Sequence, residues 1–277
     1  MKIAFCFLTR ANLLQPCLWE SFFSKSKGRH TIYCHPKFPE NVTNELLADR
    51  IIKNLVPTTY AHVSGVVASI SMFLTAYTDC SENEYFILVS ESTIPIVPFD
   101  SIYQELLQAN GRSIIQYYVP EPGTELDKRL HERLSMIEPP SLFPSPLYAH
   151  STWIVLHRSH VALLYDYPAI ESFMKVNGAD EHYFMNTLVH LKHCPVGEFV
   201  KKATTFANFR EPEVSRHSAQ NSRRELVSIE TYRPKTYEQI SPADLSQAKA
   251  TGAWFFRKIT EQCDCSIVEP HIGVGGT

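Results

Sequence analysis

No two aspartates separated by one residue occur in this 277-residue chain. The usual carboxylate seat for Mg²⁺ or Mn²⁺ beside a diphosphate is therefore missing. Charge of one sign is also lacking: 26 basic against 29 acidic residues leave a formal net charge of −3. That balance gives no electrostatic reason to expect nucleic acid or an anionic membrane as the main partner, so any phosphate site must be local. There is no C-x-x-C pair. The seven cysteines, at positions 6, 17, 34, 80, 194, 263 and 265, read as buried free thiols in a reducing compartment, with Cys263 and Cys265 the exception worth watching. Long hydrophobic runs are absent as well. The apolar start "MKIAFCFLTR" extends only from Ile3 to Leu8 before Arg10 interrupts it, too short for a secretory signal or a bilayer span. It reads as a first buried strand, and a cytoplasmic location without a membrane span is expected. The sequon Asn41-Val42-Thr43 is then coincidental.

Other absences narrow the chemistry. The P-loop and dinucleotide glycine fingerprints are missing, which counts against kinases and dehydrogenases. "HVSGV" lacks the first glycine of a nucleophile elbow, which counts against a serine hydrolase. Neither an internal repeat nor a low-complexity tract is present.

What is there is an apolar content of 44%, ample for the core of one enzyme-sized unit. "KIAFCFLT", "HTIYCH" and "EYFILVSE" read as strands. Between them, "PCLWESFFSK" and "VSGVVASISMFLTAYTDC" carry helical spacing, the latter with apolar positions 66, 67, 70, 73, 74 and 77. Alternating strand and helix is the signature of a parallel sheet covered on both faces, so the fold class is α/β with a mostly parallel central sheet flanked by helices. Ligands in such sheets bind beyond the carboxyl ends of the strands, here Thr9-Arg10, His35-Pro36 and Ser90-Glu91-Ser92. Pro95 and Pro98 forbid helix, after which Asp100 or Ser101 can cap one. Residues 119–150, rich in proline around the charged piece "ELDKRLHERLSMI", read as an irregular insertion over the site. "STWIVLHRSHVALLYDY" reads as strand, turn, helix. Residues 215–230 are polar and read as a mobile loop.

"NGADEHYFMNTL" sets Asp180 beside Glu181 after a glycine. From the residues alone, both acids can simply start the helix "EHYFMNTLVHL". A zinc set of His182, His190, His193 and Cys194 is a competing reading, although the spacing matches no well-known pattern.

Four stretches taken in order resemble one family. "FLTRANLLQPCLWESFF", "SISMFLTAYTDCSENEYFILVSESTIPIVPF", "STWIVLHRSHVALL" followed by "ADEHYFMNTL", and "ATTFANFR…RPKTYEQISPADL…GAWFFRKI" look like the conserved blocks of core-2/I-branching glycosyltransferases. The resemblance implies a single GT-A type domain over residues 1–277, with a nucleotide-binding half (1–118) and an acceptor and catalytic half (119–277). It implies inverting transfer from a UDP-sugar to a glycan hydroxyl, with no cofactor and no metal. Animal members carry an N-terminal anchor and several disulfides, neither of which is expected here. In that respect it is more like algal-virus members associated with β-xylosyl transfer, which implies UDP-xylose as donor and a viral origin in a host cytoplasm. The alternatives are β-1,6-N-acetylglucosaminyl transfer from UDP-GlcNAc, or a carbohydrate-binding protein without catalysis.

The resemblance further assigns residues. Glu181 is the base that removes the acceptor proton, with Asp180 left as a helix cap or first-turn acid. Arg233, Lys235, Arg257 and Lys258 meet the diphosphate charge, with Lys235 and Lys258 favoured. Thr9, Arg10, His35 and Ser64 are donor-binding candidates; Ser69 stands where animal relatives have an acid. By residue type rather than by the resemblance, Glu91, Ser92, Trp153, Arg158 and Phe209 are acceptor candidates, Tyr183 being a further suitable ring. Arg158 either binds ligand or orients Glu181 by an ion pair.

Overall fold

The computed structural model describes residues 1–209, 213–220 and 226–273. The first half follows the strand and helix alternation: β1 (Lys2–Thr9), α1 (Pro16–Ser24), β2 (His30–Pro36), α2 (Glu45–Ala48), α3 (Ser64–Asp79) and β3 (Asn83–Ser90). In β1, Phe5 faces Ile32 of β2 on one side and Ile87 of β3 on the other, both in parallel register. The period of two along β1 then divides its side chains between two layers. Ile3, Phe5 and Phe7 pack with Trp19, Phe22 and Phe23 of α1, while Ala4 and Cys6 pack with Val66, Ile70 and Phe73 of α3. The first layer is aromatic: Trp19 meets Phe7 edge-on at 4.9 Å and stacks on Phe23 at 5.5 Å. Pro16 opens α1, where its missing N–H would have had no helical partner.

After β4 (Ile94–Pro95), helix α4 (Phe99–Ala109) begins behind Pro98, with Asp100 in its first turn rather than at its cap. β5 (Ser113–Ile114) and β6 (Tyr117–Tyr118) precede α5 (Glu125–Leu134), which is capped by the Thr124 hydroxyl accepting the Asp127 N–H and forms the helical part of the insertion. β7 (Ala149–His150) pairs with β6. β8 (Val155–His157) leads into α6 (Arg158–Ala162); α7 (Tyr183–Asn186) runs into a π-helical stretch (Thr187–Leu191); β9 (Phe199–Val200) follows. The central sheet has the order β2-β1-β3-β8-β5-β9. Within it only β8 runs against the others, pairing antiparallel with both β3 and β5. Strands from residues 1–118 and from 119–277 thus share one sheet.

The C-terminal part adds β10 (Thr205–Ala207), β11 (Glu213–Gln220), β12 (Leu226–Arg233), β13 (Tyr237–Gln239), α8 (Pro242–Ala250), β14 (Phe255–Arg257) and β15 (Ile259–Asp264). β14 lies between β10 and β4, which fastens this part to the carboxyl side of β3. A separate apolar cluster, including Ile94, Phe206, Tyr237, Phe256 and Ile259, holds it together. The polar stretch expected to be a mobile loop is instead largely a hairpin, with β11 and β12 antiparallel from Glu213↔Arg233 to Gln220↔Leu226. Backbone pairing builds such a ladder without any apolar periodicity. Residues 221–225 of that stretch lie outside the described residues. Among the described residues no helix is long and apolar enough to cross a membrane.

Candidate functional site

At the carboxyl ends of the parallel strands lies a cleft of about 1190 Å³, lined among others by Glu181, Trp153, Arg257, Tyr118, His150 and Phe209. A second groove of about 640 Å³ runs outside the edge strand β2 and contains none of these residues. The chemistry of the side chains selects the first.

Glu181 ends a one-turn 3₁₀ helix (Ala179–Glu181) that Gly178 introduces at φ 71°, a left-handed conformation open to glycine. The Gly178 N–H donates to the Ala61 carbonyl at 2.8 Å, anchoring this turn to the approach to α3. The two acids therefore do not cap the following helix: α7 begins at Tyr183, and His182 precedes it without a side-chain cap. Asp180 turns inward and accepts the Thr152 hydroxyl at 3.0 Å. Glu181 has its side chain half exposed in the cleft and accepts Arg133 Nη1 at 3.0 Å. Burial and the neighbouring Asp180 raise the Glu181 carboxyl above the usual range, and Arg133 opposes them. A carboxylate moved toward neutrality is a stronger proton acceptor than a free one. Arg133 comes from α5, so the insertion over the site delivers a cation to Glu181. The same Nη1 lies 3.3 Å from His182 Nε2, and burial holds His182 neutral, with a pKa of about 3.

Arg257 ends β14, where strand alternation places Phe256 in the C-terminal core and Arg257 opposite. Its guanidinium lies 4.4 Å from the Trp153 ring centroid. Among the described residues its buried Nε has no hydrogen-bond partner. Burial lowers its pKa to about 10, against the pull of Glu91, Tyr60 and Asp180. Glu91, at the carboxyl end of β3, is raised by burial and drawn down by Arg257, Lys258 and Arg10, so these four charges share one neighbourhood.

The other expected cations are placed differently. Arg233 lies 5.5 Å from the ring of Tyr60, and Lys235 5.0 Å from that of Tyr237, while the Lys235 N–H donates to the Asn208 carbonyl. Of the four cations expected at a diphosphate, Arg257 lines the cleft; Arg233, Lys235 and Lys258 do not. Ser64 opens α3, its hydroxyl accepting the Thr59 N–H at 2.9 Å. Ser69 is buried and donates to the Gly65 carbonyl of its own helix. Thr9 is buried and donates to the Ala11 carbonyl, whereas Arg10 is exposed. His35 is fully buried, its Nε2 accepting the Val56 N–H.

Among the acceptor candidates, Trp153 and Phe209 line the cleft, Phe209 being 57% exposed. Ser92 is buried with Ser90 and Thr93 in a cluster of hydroxyls. Tyr183 is core, donating its hydroxyl to the Pro168 carbonyl. Arg158 requires correction. It donates to the carbonyls of Tyr77, Cys80 and Asn83 and stacks on Tyr77 at 3.8 Å, where α3 ends and β3 begins. That is the amino end of the parallel strands, away from Glu181, so Arg158 does not orient Glu181 by an ion pair. The residues that sequence reasoning passed over are Arg133, Tyr118, His150 and Lys201. The available signal was weak: the basic helix lay in a segment already read as covering the site.

A mostly parallel central sheet flanked by helices is the architecture of a GT-A-like glycosyltransferase domain. The chain belongs to the core-2/I-branching enzyme family, whose model matches residues 3–244. It is 25% identical over 204 residues to "Glycosyltransferase BC10" of Oryza sativa subsp. japonica, a match covering 72% of this chain and 45% of the rice protein. The chain thus spans about half the length of that relative. Among solved structures, 4-diphosphocytidyl-2C-methyl-D-erythritol synthase from Anaerococcus prevotii matches 61% of this chain and 76% of its own at 11% identity, with a TM-score of 0.29. A protein from STIV matches 58% and 68% at 10% identity, with a TM-score of 0.27. Scores this low carry no argument.

Proposed function

We propose that this chain is an inverting glycosyltransferase that moves a sugar from a UDP-sugar to a glycan hydroxyl without a divalent metal. The observation that carries this reading is the pairing of Glu181 and Arg257 on one cleft of a chain in this family. Glu181 takes the proton of the acceptor hydroxyl as its oxygen attacks the anomeric carbon. UDP leaves from the opposite face, which inverts the anomeric configuration. The charge growing on the departing diphosphate needs fixed cations in a site of low dielectric, and Arg257 is the first of them, with Lys258 and Arg10 beside Glu91. Lys235 and Arg233 belong to the same group if the donor reaches toward Tyr60 and α3. The rings of Trp153, Tyr118 and Phe209 suit the flat faces of an acceptor sugar.

For the donor we take UDP-xylose, with UDP-GlcNAc as the alternative and a viral origin as part of the same reading. The test is a panel of UDP-xylose, UDP-GlcNAc, UDP-glucose, UDP-glucuronate and GDP-sugars, read by thermal shift and by donor hydrolysis. Stabilisation requires preferential binding to the folded chain. Glu181→Gln is expected to retain the thermal shift and lose about 10²- to 10⁴-fold in kcat. Unchanged turnover in that variant removes the base, and a thermal shift without any wild-type turnover favours a binding protein. Turnover that vanishes in chelator and returns on adding Mg²⁺ or Mn²⁺ removes the metal-free mechanism.

A further inference from the structure

We infer that His160, Cys194 and Glu198 form a binding site for a zinc-class divalent cation, at the end of the sheet opposite the cleft and separate from sugar transfer. Among the described residues this is the one group of three metal-competent side chains whose ligand atoms all lie within 4.8 Å of one another. His160 is supplied by α6, immediately after the antiparallel strand β8. Cys194 and Glu198 come from the turn that leads into β9. Their backbones are tied down, the Cys194 N–H donating to the Leu188 carbonyl at 3.0 Å and the Glu198 N–H to the Pro195 carbonyl at 2.9 Å.

The imidazole is held as a metal-ligating histidine usually is. It is buried, stacked on Phe199 at 4.8 Å, and its Nδ1 lies 2.7 Å from the Ser113 hydroxyl, which also accepts the His157 N–H. Such an outer partner fixes the ring and leaves Nε2 to face the site, here toward the Glu198 carboxylate at 3.0 Å. The Cys194 sulfur makes only a long contact of 3.9 Å to the Lys192 carbonyl. Imidazole nitrogen, thiolate sulfur and a carboxylate oxygen together suit zinc and not the oxygen-seeking Mg²⁺ or Ca²⁺. Glu198 is half exposed, which gives the ion an entry path and leaves water as the fourth ligand.

Binding is a proton exchange without redox change. The Cys194 thiol releases its proton to solvent, and the imidazole proton moves from Nε2 to Nδ1, where it is donated to Ser113. One proton is released per ion. The competing zinc reading of His182, His190, His193 and Cys194 is split by the fold: His190 Nε2 donates to the Pro146 carbonyl and His182 meets Arg133, so Cys194 keeps different company. An ion here would tie α6 to the start of β9, whose other end delivers Lys201 to the cleft.

The test is titration of the chelator-treated full chain with Zn²⁺ and with Co²⁺, following proton release and the thiolate-to-cobalt absorption. One ion per chain with a thiolate band is expected. Cys194→Ser should lose the band, Glu198→Gln should bind at least about tenfold more weakly, and Ser113→Ala about 10- to 100-fold more weakly. Because Glu198 is half exposed, its variant keeps the test decisive should Cys194→Ser fail to fold. The inference is overturned by no stoichiometric uptake, by unchanged uptake in Glu198→Gln, or by a band that survives Cys194→Ser and is lost only when Cys263 and Cys265 are replaced.

Discussion

Arg158 lies at the amino end of the central parallel strands and Arg257 on β14 of the neighbouring three-stranded sheet, and their surroundings differ in what each guanidinium is spent on. Arg158 spends its guanidinium on three backbone carbonyls and on the Tyr77 ring. It neutralises the carboxyl end of α3, where the helix dipole and the last open carbonyls favour a cation. Among the described residues Arg257 meets no carbonyl in this way. It is buried against Trp153 with an unpartnered Nε, near the carboxylates of Glu91 and Asp180. A buried cation with an unused donor costs stability, and that cost is expected where binding needs the donor more than folding does.

The largest expected effect tests the Arg257 side of this contrast. Arg257→Ala should lower kcat for donor turnover by about 10²- to 10³-fold, the loss typical when one donor to a developing anion is removed. Full turnover in that variant would erase the distinction. Arg257→Lys should recover only part of the loss, because a single ammonium cannot reproduce the planar fork; equal rates for Lys and Arg would show that charge alone matters.

Arg158→Ala should do the reverse. Removing charged hydrogen bonds from buried carbonyls should destabilise the fold by about 1–3 kcal/mol in urea unfolding, with donor kinetics at 25 °C unchanged. A kinetic defect without loss of stability would return Arg158 to the site.

The smallest effect concerns Arg133. Glu181 is raised by burial and by Asp180, and Arg133 draws it down. In the proposed mechanism Glu181 acts when ionised, so turnover is expected to fall as pH drops through its pKa, which lies above the ordinary glutamate value. Arg133→Gln removes the opposing cation, so the acid limb of the kcat/KM profile should move to higher pH, with a loss at neutral pH of less than about tenfold. The linkage has the opposite sense for stability. A carboxylate raised in the folded state binds its proton more readily there than in the unfolded chain. Stability contributed by that protonation is therefore lost as pH rises through the window between the usual and the raised value. An acid limb that stays in place in Arg133→Gln would show that α5 does not govern the base.

Much of the architecture was legible. The runs around β1, β2 and β3, the helical spacing of α1 and α3, and the proline stop before α4 all follow from local periodicity and backbone limits. The expectation for residues 215–230 failed because a two-stranded ladder rests on backbone pairing, which polar residues do not betray. The site was partly legible: Glu181, Trp153, Arg257 and Phe209 line one cleft, while Thr9, His35 and Ser92 turn their side chains to the interior. Arg158 was misplaced for a single reason. Residues after a parallel strand emerge at the ligand-bearing end, but β8 is antiparallel, so Trp153 before it reaches the cleft and Arg158 after it reaches the far end.

By itself the sequence determined which segments would be strands and helices and which chemical groups were on offer, because side-chain period and backbone restriction act over a few residues. Only the tertiary structure decided the direction of β8, the meeting of Arg133 with Glu181 across 48 residues, and the company of Cys194. Those depend on pairings between distant segments, whose free energy is shared among many contacts and is written in no single stretch of the chain.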